Sequence, residues 1–86
     1  MTRALITVVG KDSVGIVAKV STYLANNSVN ILDISQTIVQ DFFNMMMVVD
    51  IEAATKPLAT LSEELSEIGS ETAVSITIQL ESIFRR

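Results

Sequence analysis

Two stretches of this chain are apolar on both faces and two are apolar on only one. That division constrains the fold more than any other feature. Residues 4–9 read Ala-Leu-Ile-Thr-Val-Val and close at Gly10, and residues 43–49 read Phe-Asn-Met-Met-Met-Val-Val. Two-sided apolar runs of this length belong to interior strands of a sheet. Between Val29 and Val39, in contrast, Leu32, Ile34 and Ile38 share one face while Asp33, Ser35 and Thr37 share the other. From Thr72 to Leu80, the apolar Val74, Ile76, Ile78 and Leu80 alternate with Ser75, Thr77 and Gln79. Clean alternation marks strands at the edges.

Helical periodicity fills the gaps between these strands. Ile16, Val20 and Leu24 recur at four-residue spacing, with Val17 and Tyr23 widening the stripe and Lys19, Ser21 and Thr22 outside it. Ser13 is placed to cap that helix, and Asn26-Asn27-Ser28 to end it. A second helix has Pro57 in its first turn, a buried stripe of Leu58, Leu61, Leu65 and Ile68, and a wet face of Glu63, Glu64 and Glu67. Gly69 is its expected stop. Gln40-Asp41-Phe42 is short enough to join the second and third strands as a hairpin.

The order is therefore βαββαβ, which predicts an α+β, ferredoxin-like sandwich. Interior first and third strands and edge second and fourth strands give a four-stranded antiparallel sheet in the order 4-1-3-2. Both helices then lie on one face, through right-handed crossovers. Residues 1–80 are expected to form one domain and 81–86 a short C-terminal tail. The interior strands must also present residues to the uncovered face. Placing Leu5, Val9, Met45, Met47 and Val49 against the helices leaves Ile6, Val8, Met46 and Val48 outside. The reverse choice also leaves an apolar patch. At roughly 25 cal/mol per Å², such a patch drives association, so a homo-oligomer is expected, most simply a dimer. Met46 is the expected interface methionine, the other two being core filler.

Composition narrows the function. The chain has 86 residues, a formal net charge of −4, no histidine and no cysteine. Nucleic-acid binding needs a clustered basic surface, and here the six basic residues are scattered apart from Arg85-Arg86. Contact with an anionic membrane surface is disfavoured for the same reason. No apolar run approaches the roughly 20 residues that span a bilayer, and the N-terminus lacks a signal-peptide pattern. A cytoplasmic setting is expected. Without His or Cys, no nucleophile stands beside an evident base, disulfides are ruled out, and the common metal ligands are missing. The expectation is no enzyme, no metal and no cofactor.

What remains is the strand-to-helix turn Gly10-Lys11-Asp12-Ser13-Val14-Gly15-Ile16. Such a turn points backbone N–H groups at one spot, which suits an anion or a small zwitterion. Asp12 either bonds its own turn or meets a ligand ammonium. Gly15 either packs the helix start closely against the sheet or lets a ligand approach. Lys11 is open to an acidic ligand or simply solvated.

Thr7 to Val20, followed by Asn30-Ile31-Leu32-Asp33-Ile34-Ser35-Gln36-Thr37, resembles the ACT domain. The hallmarks are Asp12-x-x-Gly15-Ile16-Val17, the strand start at Asn30-Ile31, and the strand from Phe43 to Val49. The chain is most similar to stand-alone, single-domain bacterial ACT proteins, and also to the N-terminal modules of the glycine-cleavage repressor and formyltetrahydrofolate deformylase. The resemblance implies a regulatory module that pairs into dimers, often by joining sheets side by side, and binds an amino acid or related small metabolite between subunits. It implies ligand contacts from Gly10, Lys11, Asp12, Ser13, Val14, Gly15 and Ile16 of one chain and from Asn30, Ile31 and Asp33 of its partner. With no fused domain in the sequence, the signal would pass to a separate enzyme or regulator. A protein–protein adaptor of the same fold, with no small ligand, is the alternative.

Overall fold

A computed structural model describes residues 1–11 and 14–84. Its elements are β1 (Arg3–Lys11), α1 (Ile16–Asn26), β2 (Asn30–Val39), β3 (Phe42–Asp50), α2 (Leu58–Thr72) and β4 (Val74–Leu80), followed by a 3₁₀ turn, Glu81–Phe84. The sheet is antiparallel throughout, in the order β2-β3-β1-β4. The ferredoxin-like βαββαβ fold stands as its residue pattern predicts.

The helix-facing set differs from expectation in one strand. Ala4, Ile6 and Val8 of β1 are fully buried and pair across the ladder with Val49, Met47 and Met45, which are buried too. Leu5 and Val9 therefore face away from the helices, with Met46 and Val48. Assigning β1 from its sequence alone fails because both of its faces are apolar. Only the register with β3 decides. Ile16, Val20 and Leu24 of α1 and Leu61 and Leu65 of α2 complete the core with Ile76 and Ile78 of β4. The open face carries Leu5, Val9, Met46 and Val48 among serine, threonine and amide side chains.

Helix ends also depart from the sequence reading. The N-cap of α1 is Gly15, in a left-handed conformation at φ +86°, rather than Ser13, which lies outside the described residues. At the other end, Ser28 takes φ +59° while its N–H reaches Ala25 O and the Val29 N–H reaches Leu24 O. That pair of bonds is a Schellman closure with serine where glycine is usual. Pro57 stands just before α2 as its N-cap, and the helix runs past Gly69 to a left-handed Ala73. Gly69 is instead buried where α2 meets β4: a Cβ there would lie 2.6 Å from the Val74 carbonyl oxygen.

β2 is the outlier of the sheet. Apart from Ile31, each of its residues is exposed. A bulge at Leu32 shifts its register against β3, so that Ile34 and Ile38 continue the face begun by Ile31. The hairpin that follows is a two-residue turn, Gln40-Asp41, closed by the Val39–Phe42 pair. Gln40 holds φ +59°, a conformation that favours glycine.

Two substitutions test these backbone readings by urea denaturation. Gly69→Ala lowers the unfolding free energy by about 1–2 kcal/mol, the overpacking outweighing the helix-propensity gain. Gln40→Gly raises it by roughly 0.5–1 kcal/mol by relieving the left-handed strain.

Candidate functional site

The turn that begins at Gly10 emerges from the central strand. Gly10 lies between Phe43 and Val74, and a Cβ on it would meet Val74 Cγ1 at 2.6 Å, so glycine here allows β4 to close. Lys11 is the last residue of β1, exposed and opposite Phe42. Asp12 and Ser13 lie outside the described residues. Val14 is 99% exposed, whereas the Ile16 side chain is only 1% exposed and belongs to the core.

Gly15 resolves between the two roles left open for it. Nothing lies within 4 Å of the position its Cβ would take, so close packing does not explain the glycine. Its positive φ does, and the space beside it is open. Having no side chain, it cannot cap the helix, and the first-turn N–H groups of α1 lack an intrahelical acceptor. Their partial positive charge favours an anion at this helix end.

Asn30, Ile31 and Asp33 do not join this turn within one chain. Asn30 is in register with Asp50, which pairs with Arg3 at the start of β1. Gly10 is in register with Phe43 and, beyond it, Ile38. The eight-residue offset from Ile38 back to Asn30 corresponds to about 26 Å along the strand. Asp33 is exposed, and its carboxylate accepts a hydrogen bond from the Ile34 N–H at 2.9 Å.

A polar cluster between the helices was not legible in the sequence. The Tyr23 hydroxyl donates to Glu64 Oε1 at 2.7 Å, and the Lys56 ammonium meets the same oxygen at 2.7 Å. Tyr23 is thus more than a widening of the apolar stripe, and Glu64 is not simply solvated. Burial raises the Tyr23 pKa, and its hydrogen bond to Glu64 adds to the rise. The hydrogen bond from Lys56, then that from Tyr23, hold Glu64 below the usual carboxylate range. The bond from Thr2 does the same for Glu52. Each perturbed group has a structural partner. Among the described residues no cluster of three or more His, Cys, Asp or Glu side chains could hold a metal ion. Among the described residues no helix is long and apolar enough to cross a membrane.

The ACT-domain family profile matches residues 2–79. A UPF0237 protein of Bifidobacterium longum is 49% identical over 86 residues, covering 100% of this chain and 96% of the relative. Among solved structures, an ACT domain protein from Streptococcus pneumoniae superposes with a TM-score of 0.86 at 42% identity, covering 99% of this chain and 96% of that one. A formyltetrahydrofolate deformylase from Pseudomonas syringae matches at a TM-score of 0.84 and 26% identity, over 93% of this chain but 28% of the deformylase. The chain belongs to the ACT-domain family, a class of regulatory modules that bind small molecules.

The Tyr23–Glu64 contact fixes a pH dependence. Glu64 titrates below its unfolded value of 4.5, so its contribution is present above that pH and is lost as pH falls through the folded pKa. Tyr23 titrates above its unfolded value of 10.0, so its contribution is present below pH 10.0 and is lost as pH rises further. The chain has one tyrosine. Its tyrosinate absorbance in the native state should appear only above the ordinary range and move down toward it in Glu64→Gln.

Proposed function

We propose that this protein is a cytoplasmic, homodimeric sensor that binds an amino acid or related small metabolite between two subunits and passes the signal to a separate enzyme or regulator. The reading is non-catalytic. The observation that carries it is Gly15 at the start of α1, at φ +86° with open space where a Cβ would stand, beside a helix end whose N–H groups favour a ligand carboxylate. Asp12 and Asp33 are the carboxylates offered to its ammonium.

The strand register supports a second chain as the missing half. β2 is ten residues long, with Ile34 39%, Ile38 72% and Val39 57% exposed. A long, apolar and uncovered edge is a template for strand pairing. Antiparallel pairing of two β2 strands centred on Ser35 would set residues 31–33 of one chain against residues 37–39 of the other. That pairing places the partner's residues 31–33 at the same end of the sheet as the Gly10 turn. The exposed edge equally favours the adaptor alternative, in which a different protein adds to β2 and no small ligand binds. In this reading residues 1–80 act as one unit, followed by the short tail 81–86.

A thermal-shift panel of the twenty amino acids separates the two. A ligand at 100 times its Kd stabilises by about 2.7 kcal/mol, a Tm rise on the order of 10–20 °C for a domain this small. Asp12→Asn and Asp33→Asn should each reduce that rise. A flat response across the panel favours the adaptor.

A further inference from the structure

Edge pairing through β2 leaves the sheet face opposite the helices uncovered. Along the strands that face alternates with the buried Ile6, Val8, Met45 and Met47. Its centre is therefore Leu5, Thr7, Val9, Asn44, Met46 and Val48, flanked by hydroxyl and amide side chains of β2 and β4. The charged residues of this face stand at its margins: Arg3 and Asp50 at one end, Lys11 at the other, and Asp33 on β2. The helical side is the reverse, with Lys19 on α1 and Glu63, Glu64, Glu67 and Glu71 on α2. A centre without charge that exposes methionine distinguishes an interface core from ordinary surface, and Met46 is 49% exposed.

Resting on the β2 pairing proposed above, we infer that this face is covered by a second edge-joined pair, sheet against sheet, so that four chains assemble. A two-fold contact brings one patch against its own copy, so the patch must complement itself. Serine, threonine and asparagine side chains both donate and accept hydrogen bonds, which lets like meet like. Met46 also stands beside a hollow of about 240 Å³ lined by Thr7, Ser35, Thr37 and Asn44. One patch thus holds both a projecting side chain and a recess, and methionine fills irregular recesses readily. Area decides how many chains are needed. Four strands about 4.8 Å apart, each about seven residues long at roughly 3.3 Å per residue, present a face of about 450 Å². Two single chains stacked on that face bury about 900 Å² in total, short of the roughly 1,200 Å² of a stable interface. Antiparallel edge pairing turns both open faces to the same side and doubles the sheet. Two such pairs bury about 1,800 Å², within the standard range. The face therefore closes only after the edge has paired, and two-fold contacts of both kinds give a closed assembly.

The test is sedimentation equilibrium of the full chain over a range of protein concentrations. The unaltered protein should sediment as four chains. Met46→Glu and Val9→Glu each put a charge into the uncharged contact and should halve that mass, with the far-UV circular dichroism unchanged. Gln36→Pro on β2, an edge strand where proline is tolerated, blocks the edge pairing and should release single chains, because the face alone buries too little. A mass that neither glutamate variant alters overturns the face contact, and if Gln36→Pro still halves it the edge-joined sensor stands. An unaltered protein that sediments as a single chain at every concentration overturns both.

Discussion

The structure depends on the burial of β1 between two neighbours and beneath two helices. Ala4, Ile6 and Val8 are fully buried, and the strand pairs with β3 on one side and β4 on the other over most of its length. Fully burying an aliphatic side chain is worth about 1.5–3 kcal/mol, so these residues hold β1 firmly in register. The consequence is a fixed exit point for the chain at the end of β1. The chain leaves the most constrained strand of the sheet at Lys11 and reaches the start of α1 within a few residues. Ile16, in the core, fixes the other end of that turn.

β2 is the reverse case. It is held by β3 alone and lies outside the cover of the helices, so nearly all its residues face solvent. Natural edges are blunted by bulges and charges, and β2 has both near its start: the bulge at Leu32 and the adjacent Asp33, whose carboxylate occupies the Ile34 N–H. The segment from Ile34 to Val39 has no such protection.

The fold was legible because its signals are redundant. Two-sided apolar strands, one-sided strands and four-residue helical spacing all lead to the same topology. The errors lie where one signal stood alone. The inward face of β1 is invisible in Ala-Leu-Ile-Thr-Val-Val, since alternation cannot be read where both faces are apolar. Ser13 and Gly69 looked like a cap and a stop by residue type, but the helix begins after a left-handed Gly15, and Gly69 answers a close approach by the Val74 carbonyl. The Tyr23–Glu64–Lys56 contact joins positions 41 and 8 residues apart, beyond any local pattern. The open space beside Gly15 and the hollow beside Met46 are properties of the folded surface. The residue types were visible in sequence, but their grouping was not.

The claim at the centre of this account is that two copies join through antiparallel β2 edges, each completing the other's site. The chain contains no cysteine, so one introduced thiol is unique. Opposed residues in antiparallel strands lie about 4.5–5.5 Å apart at Cα, within the range a disulfide bridges. Mild oxidation of Ser35→Cys, the residue that opposes its own copy, should give covalent dimers rapidly, with the yield falling toward Ile31→Cys and Ile38→Cys and negligible for Thr77→Cys on β4. Cross-linking that peaks at Thr77 or at Met46→Cys on the open sheet face, with the β2 series inert, would contradict the account.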